Sequence, residues 1–211
     1  MSNYLTIDGE FCSSLIIDRS EFICRVKGIE NEEQAKEFIA QVKKKEPFSS
    51  SNCYAYIADE KGLNQKFSDD GEPQGTAGLP MLNVLKNKKL FKTVAIVTRY
   101  YGGIKLGAGG LVRAFGNSVV KCLDGAKVLD MQLATRVEIN IDYFDYSGLL
   151  RFLESQPAKI ISTNYEDKVC LEIAIKKTDD NSINLFQKAL ADFFNGKVSV
   201  KIIKEGYFNF N

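Results

Sequence analysis

The sequence predicts an α+β protein of two domains, the second with the β-α-β-β-α-β order of the ferredoxin-like fold. Three observations predict it. The chain has 211 residues, 45% of them hydrophobic, enough for two modest cores and too apolar for a disordered chain. Its first part mixes strand and helix periodicities around an apolar run at 94–98 that suits a strand buried on both faces. Its last part repeats the two periodicities in the split βαβ order. The boundary is expected at Ala134-Thr135, giving domains 1–134 and 135–211.

The elements follow in order. Strands are expected at 11–17 and 22–29; in the latter Phe22, Cys24 and Val26 share one face and Arg25 and Lys27 the other. Asn31 with Gln34 resembles a capping box, and Ala35, Phe38, Ile39 and Val42 form a helical stripe that Pro47 closes. A strand at 53–58 precedes a polar loop at 59–75, and a short helix at 77–85 carries Pro80 near its start, where proline is tolerated. After the buried strand at 94–98, the glycine-rich stretch 102–110 leads into a helix at 111–123 and a strand at 128–133.

Beyond the boundary Val137, Ile139 and Ile141 alternate, and Tyr146, Leu149, Leu150 and Leu153 make a helical stripe. Strands at 159–164 and 169–175 meet at a Glu166-Asp167 turn. A helix with Ile183, Phe186, Leu190 and Phe193 inward and a last strand with Val198, Val200 and Ile202 complete the order.

Composition narrows function. A formal net charge of +1 gives no bulk attraction to nucleic acid or membrane, so any basic site must be local. No leader sequence and no run near the ~20 apolar residues of a membrane span is found, and five dispersed cysteines without a CxxC pair read as reduced thiols. The expectation is a cytoplasmic chain that binds no membrane. The chain has no histidine, which excludes Ser-His-Asp and Cys-His catalysis and imidazole-bound zinc. Cys53 has no base near it in sequence and is read as a core residue, not a nucleophile. No catalytic residue and no cofactor are assigned.

Two stretches stand out: FSDDGEPQGTAGLP at 67–80 and TRYYGGIKLGAGGLVRA at 98–114. From Arg99 to Arg113 there are three basic residues, no acidic ones and five glycines. Glycines let backbone N–H groups face a ligand, and a helix N-terminus adds partial positive charge. Arg99, Tyr101, Lys105, Gly107, Gly109, Gly110 and Arg113 are therefore expected to bind an anion, phosphate or RNA, with Tyr101 stacking on a base or capping the strand end. Asp69, Asp70 and Glu72 are expected either to hold a cation or to pair with those basic side chains. The bland alternative is that the glycines serve tight turns alone and the charges cancel internally. The spacing is neither a Walker loop nor GxGxxG.

At these residues the sequence resembles the YigZ/IMPACT family, over CYAY (53–56), SDDGEP (68–73), GTAG (75–78) and TRYYGGIKLGAGGLVR (98–113). The resemblance implies an N-terminal α/β sandwich like the second domain of a small-subunit ribosomal protein. It also implies a C-terminal domain like the last domain of elongation factor G, in agreement with the ferredoxin-like order. Eukaryotic relatives regulate translation by competing for the activator of a starvation-responsive kinase, so the resemblance implies a translation-linked role. The partner expected is RNA or a ribosome-associated protein, with no DNA sequence readout. A nucleotide-binding enzyme using the same segment is the alternative. The family commonly has a histidine two positions before the cysteine of CYAY, where this chain has Ser51.

Overall fold

The computed structural model describes residues 3–210 and divides into two compact units, one Tyr4–Leu129 and the other chiefly Asp130–Asn211. The division falls between Leu129 and Asp130, inside a continuous strand that also contains Ala134 and Thr135.

The first unit opens with a short strand, β1 (Tyr4–Ile7). Strands β2 (Glu10–Ile17), β3 (Ser20–Gly28), β4 (Ser51–Ile57), β5 (Gln65–Ser68) and β6 (Thr93–Tyr100) then form a five-stranded sheet in the order β2-β3-β6-β4-β5. Every pairing in it is antiparallel. The central β6 is buried on both faces, as its unbroken apolar run requires. Val94 and Ile96 pack against Ala35, Phe38, Ile39 and Val42 of α1 (Glu32–Lys45). Ala95 and Val97 join the core built with Met81 and Leu85 of α2 (Gly78–Asn87) and Phe115 and Val119 of α3 (Gly107–Gly125). One helix thus covers one face of the sheet and two cover the other, an α/β sandwich.

The start of α1 is fixed reciprocally. Asn31 Oδ1 accepts the Gln34 N–H at 3.0 Å, and Gln34 Oε1 accepts the Glu30 N–H at 2.8 Å. The capping box is present, shifted by one residue on its return bond.

The second unit contains β7 (Val128–Ile141), α4 (Tyr143–Glu154), β8 (Ala158–Tyr165), β9 (Val169–Lys176), α5 (Ser182–Phe193) and β10 (Val200–Asn209). The strands lie in the order β10-β7-β9-β8, all antiparallel. With the two helices this is the ferredoxin-like arrangement the element order predicts. Val137, Ile139, Leu171 and Ile173 pack on Leu149, Phe152, Phe186 and Leu190.

Several details depart from the sequence reading. The strands expected at 128–133 and from Val137 onward are one strand, because Ala134 and Thr135 pair with β9 on one side and β10 on the other. The loop expected at 59–75 contains β5, too short to show alternation. Helix α3 begins four residues early, taking in Gly107, Gly109 and Gly110. The last strand starts at Val200, with Val198 buried just ahead of it. Phe193, expected inward, is half exposed, and Phe194 turns into the core in its place.

Candidate anion site at the start of helix α3

Arg99 is the charged residue near the end of β6, and the ladder places it between Phe22 of β3 and Ser51 of β4. It is 7% exposed. Its guanidinium lies between two rings, 5.5 Å from the centre of Phe22 and 5.3 Å from that of Tyr101. Its Nη1 donates to both oxygens of Glu72, at 2.9 and 2.7 Å, while Nε is buried without a hydrogen-bond partner. Glu72 Oε1 also accepts from the Ser51 hydroxyl at 2.8 Å. Ser51 therefore supports the ion pair.

The other two acids have structural partners. Asp69 caps α2: one oxygen accepts the N–H groups of Ala77 (3.0 Å) and Gly78 (2.8 Å), and the other that of Gly75 (2.8 Å). Asp70 accepts from Lys43 Nζ at 2.6 Å and from the Asn52 N–H at 2.7 Å. The three carboxylates thus serve different neighbours, and among the described residues no group of three or more Cys, Asp or Glu converges as a metal site would require.

Beside the Arg99–Glu72 pair lies a cavity of about 370 Å³ lined by Glu72, Pro73, Arg99, Tyr101, Lys105, Leu106, Gly107, Ala108 and Leu111. Of the residues expected from sequence, Glu72, Arg99, Tyr101, Lys105 and Gly107 meet there. Gly109 and Gly110 lie in the first turn of α3, and Arg113 is exposed farther along the helix, off the cavity wall. Pro73, Leu106, Ala108 and Leu111 are lining residues that sequence reasoning missed. They are apolar in a segment that draws attention by its charge.

The helix start is bare. No side chain caps α3, and its first turn carries no acid. Gly107 has φ of +68°, a conformation open to glycine. At Gly109 φ is ordinary and a Cβ would meet nothing within 4 Å. Neither backbone nor packing requires that glycine, although it costs the helix roughly 1 kcal/mol relative to alanine. What it does is leave the N-terminal backbone uncovered toward solvent. Free N–H groups, the positive end of the helix and the Lys105 ammonium together make a place for an anion.

Nothing in this region is poised for proton transfer through sulfur. Burial pushes the Cys53 thiol up to about 12, and its S–H donates to the Asp69 carbonyl at 3.0 Å.

Comparison with known proteins finds matches to both parts of the chain. The Impact N-terminal domain matches residues 18–123, and a domain of unknown function (DUF1949) matches 139–197. IMPACT family member YvyE of Bacillus subtilis is 36% identical over 201 residues, 95% of this chain and 91% of that protein. The chain belongs to the IMPACT family. IMPACT family member YigZ of Escherichia coli is 35% identical over 191 residues, covering 90% of this chain and 92% of YigZ. A crystal structure of a hypothetical protein, 32% identical, superposes with a TM-score of 0.62 over 97% of this chain and 98% of that one. The two family matches divide the chain as the two compact units do. Among the described residues no helix is long and apolar enough to cross a membrane.

Proposed function

We propose that this IMPACT-family chain is a non-catalytic, translation-linked protein that binds RNA, holding a backbone phosphate in the cavity at the start of α3. The observation that carries the reading is the meeting of Lys105 with an uncapped, acid-free helix N-terminus whose glycines leave the backbone open. Tyr101, 47% exposed on the same wall, offers a ring on which a base can stack. Arg99 contributes less charge than its type suggests, because Glu72 neutralises it. Its part is to hold Tyr101 and the cavity wall in place. Lys105 and the helix start then supply the attraction.

The test is fluorescence anisotropy with a labelled single-stranded RNA of about 12 nucleotides, within the usual span of such sites. Lys105→Glu is expected to weaken binding about ten-fold or more, and binding to fall as salt rises. Unchanged affinity in Lys105→Glu would overturn the RNA reading. So would magnesium-dependent hydrolysis of a nucleoside triphosphate by the pure protein, which would favour the nucleotide enzyme. Capture of a ribosome-associated protein by a chain with no affinity for RNA would replace the ligand class.

A further inference from the structure

Where α4 begins and β8 ends, the second unit gathers exposed tyrosines. Tyr165 stacks on Tyr143 with ring centres 6.5 Å apart and 25° between planes, and meets Tyr146 edge-on at 6.0 Å. The hydroxyls hold the rings in place: Tyr143 donates to the Glu166 carbonyl at 2.8 Å, and Tyr146 and Tyr165 share a bond of 3.2 Å. Even so, Tyr143 is 54% and Tyr165 60% exposed, and the neighbouring Phe144 is 92% exposed. Folding leaves this much ring surface in water when a core or a partner does not take it up.

The charge around the rings decides what fits. Asp142, Asp145, Glu166 and Asp167 flank them in sequence, and the local cation, Lys168, is paired with Asp142 at 3.1 Å. Four carboxylates beside one spent ammonium repel phosphate, so RNA is the wrong ligand here despite the stacking rings. A second copy of the same acidic surface is disfavoured by the same repulsion. Tyrosine faces attract cations, and an arginine guanidinium lies flat on a ring while its N–H groups reach a carboxylate.

We propose that this face of the second unit docks an arginine- or lysine-rich peptide segment of another protein. The cations lie over Tyr143 and Tyr165, and Glu166 and Asp167 neutralise them. Because two of the rings are already stacked and tied by their hydroxyls, docking orders few side chains. The surface is built from residues of the second unit alone, whereas the α3 cavity is built from the first, so this proposal does not rest on what that cavity binds.

The experiment is calorimetry on the full chain with a short arginine-rich peptide, the same peptide with glutamate in place of arginine, and a single-stranded RNA. The arginine peptide is expected to bind and the glutamate peptide not. Tyr165→Ala should weaken the arginine peptide about ten-fold, and Tyr165→Phe, which keeps the ring, much less. The double change Glu166→Lys with Asp167→Lys lies in an exposed turn, so it leaves the core intact and should abolish binding at low salt. Equal binding of the two peptides, or wild-type affinity in Tyr165→Ala and in the double lysine variant, would overturn the proposal. Loss of RNA binding in Tyr165→Ala with the α3 cavity unaltered would overturn it too, by showing that the rings read bases.

Discussion

At the scale of single residues, neighbours decide roles that residue type leaves open. Glu32 is an example. The Lys36 ammonium, with hydrogen bonds from Tyr56 and Asn64, pulls its carboxyl down to about 2 from an ordinary 4.5. A folded-state value below the unfolded one means that the ionised form stabilises the fold. That contribution is complete above the unfolded value near 4.5 and is lost as pH falls through 2. Melting temperatures from pH 7 to 2 should therefore show Glu32→Gln less stable than wild type at neutral pH, with the gap narrowing below about 4.5 and nearly closed at pH 2; a constant gap would contradict this. Cysteine reactivity follows the same logic. Cys12 is exposed while Cys24, Cys53 and Cys122 are buried. Iodoacetamide on native protein should modify Cys12 first, with the buried three reacting only after unfolding, as peptide mass mapping can show.

At the scale of elements, Asp69 of the acidic motif is a device for starting α2. Asp69 accepts the N–H groups of Gly75, Ala77 and Gly78. Asp69→Ala removes all three acceptor bonds and should destabilise by about 2 kcal/mol or more in urea, whereas Asp69→Asn, which keeps one oxygen, should lose less. Gly109 on α3 separates stability from binding. Gly109→Ala should raise stability by about 1 kcal/mol and lower RNA affinity by covering the open backbone. A variant that gains stability and keeps full affinity would remove Gly109 from the site. The elements themselves were legible where alternation is clean and loops are short, as in β9 and α1. They were not legible in β1 and β5, which have four residues each and hold their place by pairing and not by pattern. Phe193 and Phe194 show a related limit, since two adjacent rings at the end of a helix both lie near its apolar stripe and the pattern does not say which turns inward.

At the scale of the whole molecule, each unit has its own hydrophobic packing: two clusters lie on the two faces of the first unit's sheet and a third belongs to the second unit. Leu171 is fully buried in the second. Leu171→Ala should cost about 2–5 kcal/mol there, exposing 130–211 to protease while the cavity at α3 keeps its RNA affinity. Joint loss of both would show that the units do not act separately. The candidate site was legible as a basic, glycine-rich segment, and the segment does form one wall of a cavity. Its charge balance was not. Glu72 reaches Arg99 from 27 residues away and Ser51 from a neighbouring strand, and pairings of that separation leave no local pattern. Arg113 was grouped with the cavity because it is close in sequence, but the helix carries it elsewhere.

The seating of Arg99 also bears on how the sheet assembles. It is the one charge in a strand otherwise suited to burial, and it fits because Glu72, Ser51, Phe22 and Tyr101 receive it. A slip of β6 by one residue would turn every side chain to the opposite face. Valines and alanines would tolerate that exchange cheaply, but the guanidinium would be carried to the α1 side, away from its carboxylate. Arg99 thereby acts as a key that only one alignment accepts. Arg99→Met should destabilise the fold, since Glu72 loses its cation, and should slow refolding in stopped-flow measurements, because only the hydroxyls of Thr93 and Thr98 would then mark the strand's register.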